Sequence, residues 1–81
     1  GKGMTKQGII DFCIKITEPG YESSASGLID LMYRKRTFDG NYRSFRNMPC
    51  SQSLSAWLTR TPNFEYTGEY NESNAKIIRR I

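Results

Sequence analysis

The reading turns on residues 48–81, MPCSQSLSAWLTRTPNFEYTGEYNESNAKIIRRI, because the spacing of the apolar residues changes partway along them. Leu54, Trp57 and Leu58 recur at three- and four-residue steps, the period that returns side chains to one face of an α-helix. Ser51, just after Pro49, is a suitable N-cap, and Thr61-Pro62-Asn63 ends the helix, since the residue before a proline is pushed out of helical conformation. From Phe64 the period becomes two: Phe64, Tyr66, Gly68 and Tyr70 alternate with Glu65, Thr67 and Glu69. The turn residues Asn71-Glu72-Ser73-Asn74 follow, and Lys76–Ile81 resumes apolar character, with Ile77 and Ile81 sharing one face and Ile78 and Arg80 the other. A third helix leading into a β-hairpin is therefore predicted.

Working outward, Ile9, Phe12, Cys13 and Ile16 mark a first helix over Thr5–Thr17, which Glu18-Pro19-Gly20 stops. Ser23 and Ser24 cap a second helix, Ser24–Arg36, with an apolar stripe of Ala25, Leu28, Ile29 and Met32. Thr37–Pro49 alternates weakly through Phe38, Tyr42, Phe45 and Met48, a pattern open to a short strand or an ordered loop. Residues 1–4 read as a tag remnant or disordered start, and 5–81 as one domain. The expected fold class is α+β, three helices followed by a C-terminal β-hairpin.

Composition narrows the function. Eighty-one residues with 37% hydrophobic side chains hold one small core and exclude a two-domain enzyme. No histidine is present, which removes imidazole bases, triads and histidine zinc sites. The sequence has no glycine-rich phosphate loop and no carboxylate pair spaced around a nucleophile; Asp11 and Asp30 fall on separate helices and read as solvated. The expectation is a protein that is no enzyme and has neither cofactor nor metal. Cys13 and Cys50 lie too far apart for a zinc knuckle or a redox C-x-x-C; both are expected as buried thiols, with a disulfide between them left open. With no apolar run of roughly 18 residues, no membrane association is expected, and the location is expected to be intracellular: cytoplasm, nucleoid or nucleus.

The charge sits in the middle of the chain. The net charge is +4, and residues 31–50 alone hold Arg34, Lys35, Arg36, Arg43 and Arg46 against Asp39. Arginine outnumbers lysine, and its planar fork pairs two donors with phosphate oxygens or a guanine edge. Arg34, Lys35 and Arg36 also complement the negative end of the second helix, a sufficient reason for them without any ligand. Arg43 and Arg46, interleaved with Tyr42 and Phe45, have no such explanation.

The order of helices and ribbon resembles a winged helix-turn-helix domain. The resemblance rests on Met48-Pro49, Ser51, Leu54, Trp57-Leu58 and Arg60 as the recognition helix, and on Phe64-Glu65-Tyr66 opening the wing. The connection between the second and third helices departs from it, being far longer than the usual three- or four-residue turn. The resemblance implies duplex DNA as partner and a regulatory role. Gln52, Ser53, Ser55 and Thr59 would then read base edges in the major groove. Arg60, together with Arg34, Lys35, Arg36, Arg43 and Arg46, would hold phosphates, and the five central cations imply a log–log salt slope of about −4.5. Asn71, Ser73, Asn74 and Lys76 would act as the wing. Trp57 reads as core. Two alternatives remain at this point: an interaction module presenting arginine and tyrosine to an acidic protein, and a single-strand binder stacking bases on Tyr42 and Phe45.

Overall fold

The computed structural model describes residues 5–35 and 48–81; the expectations for residues 1–4 and 37–47, and those for Arg36, Arg43 and Arg46, fall outside them. Three helices and a three-stranded antiparallel sheet make up the described chain: α1 (Lys6–Ile16), β1 (Glu22–Ser24), α2 (Ala25–Lys35), α3 (Ser51–Thr59), β2 (Phe64–Tyr70) and β3 (Lys76–Arg80). The class is α+β, as expected. No described helix is long and apolar enough to cross a membrane.

Local chemistry sets the helix ends. The Thr5 hydroxyl accepts the Gly8 amide at 3.0 Å at the start of α1, and the Ser24 hydroxyl accepts the Gly27 amide at 3.1 Å at the start of α2, each satisfying a donor that has no partner within its helix. At α3 the N-cap is Cys50 and not the expected Ser51, which already lies in the helix. The Cys50 backbone is extended and its carbonyl accepts the Leu54 amide, so the cap residue is fixed by conformation and not by a side-chain bond. Cys50 is consequently exposed and free, against the expectation of a buried thiol, whereas Cys13 is buried and free, 3.5 Å from the Met32 sulfur.

The sheet is larger than the hairpin expected. Ser23 and Ser24 precede α2 as part of β1, whose Glu22, Ser23 and Ser24 stand opposite Arg79, Ile78 and Ile77 of β3; the strand order is β1-β3-β2. Gly20 and Tyr21 continue the pairing through backbone bonds to Arg80 at 2.7 and 2.8 Å. Across the three strands the Arg79 guanidinium spans Glu22 at 3.0 Å and Glu65 at 2.9 Å.

One core joins the layers. Ile9, Phe12 and Cys13 of α1, Leu28 and Met32 of α2 and Leu54 and Leu58 of α3 pack with Phe64 and Ile78 from one sheet face. Burying such a side chain contributes about 1.5–3 kcal/mol. Trp57 is only half-buried at the core's edge, with the Lys6 ammonium 5.1 Å from its ring.

The hairpin is deformed on its β2 side. Tyr66 stands opposite Ile78 and Tyr70 opposite Lys76, so four steps along β2 match two along β3. Two extra residues therefore bulge from β2. Gly68, at φ +88°, occupies the bulge, where the Thr67 hydroxyl donates to the Ile77 carbonyl at 2.9 Å and accepts the Glu69 amide at 3.2 Å. Because side chains alternate with a period of two, an insertion of two leaves Tyr66 and Tyr70 on the same face as Ile78 and Lys76; a single extra residue would have turned Tyr70 over.

Candidate nucleic-acid interface

Leu54 and Leu58 hold α3 to the core, which leaves Gln52 and Arg60 exposed and Ser55, Ala56 and Thr59 half-buried on another side. That side faces the hairpin across two adjoining grooves. The larger, of about 480 Å³, is lined by Ala25 and Ser26 of α2, by Ser51, Gln52 and Ser55 of α3, and by Tyr70, Ser73, Asn74, Ala75 and Lys76 of the hairpin. The second, of about 340 Å³, continues along α3 past Ala56, Thr59 and Arg60, with Tyr66 opposite; Gln52, Ser55 and Lys76 line both. Among the described residues no carboxylate lines either groove.

The structure thus brings together seven of the fourteen residues named from sequence: Gln52, Ser55, Thr59 and Arg60 on one wall, Ser73, Asn74 and Lys76 on the other. Their chemistry differs in detail from the expectation. The Thr59 hydroxyl donates to the Ser55 carbonyl at 2.9 Å, which leaves it only acceptor capacity toward a ligand. Lys76 is held with its ammonium 5.4 Å from the Tyr66 ring, and Tyr66 in turn meets Tyr70 in a T-shaped contact with centroids 6.0 Å apart. Hydrogen bonding with Tyr70 raises the Tyr66 phenol above its ordinary value.

Four other residues named from sequence, Ser53, Asn71, Arg34 and Lys35, do not line the grooves. Ser53 does not line the groove; one step around the helix from Gln52 it meets Cys50, Sγ to Oγ 3.4 Å, and hydrogen bonding by the Ser53 side chain and then its backbone holds the Cys50 thiol below its ordinary value. Asn71 organises the turn: its side-chain oxygen accepts the Ser73 amide at 2.9 Å and the Ala75 amide at 3.0 Å, an Asx-type bridge that engages the group expected to reach outward. Arg34 and Lys35 lie at the far end of α2 from Ala25 and Ser26, which line the groove; at 1.5 Å per residue the separation is about 14 Å, so these cations are no part of the groove wall. Arg36, Arg43 and Arg46 lie outside the described residues.

Sequence reasoning missed Ser26, Ser51 and Tyr70 as groove residues. Ser26 and Ser51 carry no signal until two helix starts are brought side by side, and the register that sets Tyr70 opposite Lys76 depends on the two-residue bulge. Arg79, by contrast, donates from Nε to Glu65 and from one terminal nitrogen to Glu22, carboxylates that raise its pKa and offset its charge. No protein-family model, curated protein or solved structure matches the chain.

Proposed function

We propose that this protein is a small DNA-binding domain of winged-helix-like arrangement, regulatory in role, that sets α3 in the major groove with the hairpin beside it as a wing. The element order, with β1 paired to β3 next to the ribbon, is compatible with that arrangement. In this docking the Gln52 amide offers the donor–acceptor pair that matches the adenine edge, the Ser55 hydroxyl both donates and accepts, and Thr59 accepts. Arg60 and Lys76, one on each wall, meet phosphates and fix the register without carrying sequence information.

The observation that carries the proposal is the convergence of amide, hydroxyl and cationic side chains from α3 and the hairpin on one concave surface without a carboxylate among the described residues. A polyanion presenting base edges fits that set; an acidic side chain there would repel it. Selection from a random duplex library tests the reading. Enrichment of a motif is expected, with Gln52→Ala relaxing one position by about 1–3 kcal/mol, that is, about 5- to 150-fold. A library that emerges unenriched, with no duplex retained at low salt, would refute it.

A further inference from the structure

The groove is more than a gap beside a major-groove helix. Tyr70 is 54% exposed on its wall, and a T-shaped contact with Tyr66 covers at most one face of its ring. Across the groove lies Gln52, and on the turn of the hairpin wall lies Asn74, neutral amides able to satisfy the donors and acceptors of a base edge in either sense. The volume of about 480 Å³ lies within the 300–1,000 Å³ range of small-ligand sites. Lys76 sits where this groove meets its neighbour, a cation at the boundary between a base-sized hollow and the run of α3 toward Arg60.

A base stacked in a duplex cannot use these features together. Its faces are covered by neighbouring pairs, and only its groove edge is open; stacking on Tyr70 requires a base outside the helix. We infer that the groove between α3 and the hairpin receives one unpaired nucleotide, its base on the Tyr70 ring and its edge toward Gln52 and Asn74. The preferred DNA is then a duplex flanked by single strand. This rests on the DNA-binding reading and narrows its substrate class. The Asx bridge of Asn71 and the bulge around Gly68 hold Tyr70 and Asn74 in place before any ligand arrives, so little ordering accompanies binding.

Fluorescence anisotropy with labelled DNA tests it, using a blunt duplex and the same duplex carrying a short thymine extension at its 3′ end or at its 5′ end. The wild-type protein is expected to prefer one extended duplex over the blunt one by about 5- to 100-fold, the range that one base–aromatic stack supplies. Tyr70→Phe keeps the preference, because the ring remains. Tyr70→Ala abolishes it, so that extended and blunt duplexes bind alike; the side chain is exposed, and circular dichroism checks that the variant folds. Equal wild-type affinity for all three probes, or a preference that survives Tyr70→Ala, overturns this inference and leaves duplex binding standing. Absence of binding to every probe overturns the DNA-binding reading itself, and this inference with it.

Discussion

Replacing Gly68 by alanine isolates the backbone that sets Tyr70 in the groove. Gly68 holds φ +88°, and a Cβ built there meets nothing within 4 Å, so no clash adds to the cost. What remains is the penalty an L-residue meets in left-handed conformation, about 1–2 kcal/mol. For a domain of this length each kcal/mol moves Tm by about 4–8 °C, so Gly68→Ala should lower Tm by about 5–15 °C. Gly20, at φ +95° with the same open surroundings, provides an internal control: Gly20→Ala should cost a similar amount. Gly68→Asn should cost less than Gly68→Ala, because asparagine tolerates this region. Thermal melts followed by circular dichroism give all three values. A Gly68→Ala protein as stable as wild type, while Gly20→Ala is destabilised, would mean that the bulge relaxes and does not hold Tyr70 in place.

Two further predictions concern stability. Arg79→Met removes the bridge from β3 to both neighbouring strands, and because its carboxylate partners are solvated the loss in Tm should be modest at low salt and shrink at high salt; a loss independent of salt would point to packing instead. Burial pushes the Cys13 thiol from 9.0 to about 12, so below about pH 9 both states keep the proton, and as pH rises further the unfolded chain loses it while the folded chain holds it. Stability should therefore fall by about 1.4 kcal/mol per pH unit between these values, and urea unfolding of Cys13→Ala should lack that component of the slope. Identical slopes in the two proteins would contradict the assignment.

How much of the molecule is legible in the sequence depends on whether a feature is local. The spacing of Leu54 and Leu58 and the alternation from Phe64 are local consequences of helix and strand geometry, and both elements stand where they are expected. The outward side of α3 follows from the same spacing, which is why Gln52, Ser55, Thr59 and Arg60 emerge as a group. By contrast β1 is Glu-Ser-Ser, without apolar alternation; its strand character comes from backbone pairing with β3, far along the chain. Its one readable trace is the opposite charge of Glu22 and Arg79. Asn71 and Asn74 look alike as turn residues, yet one bridges the turn and the other lines the groove, a division set by the positive φ of Asn74 and by which amides lie within reach. Arg34 and Lys35 end α2 as their sequence implies, but their distance from the groove is a matter of how α2 packs, and only its first residues approach α3's outer side.

The central claim, that the surface shared by α3 and the hairpin lies against DNA, is tested most directly by the salt dependence of duplex binding. Wild-type protein should show a log–log slope of about −1.8 or steeper, about −0.9 for each of the two groove cations, and Arg60→Gln combined with Lys76→Gln should make it shallower by about 1.8. Arg79→Gln, whose guanidinium already serves Glu22 and Glu65, should leave the slope where it is. A double variant that keeps the wild-type slope, or a shift produced by Arg79→Gln instead, would place the nucleic acid elsewhere on the molecule and contradict the account.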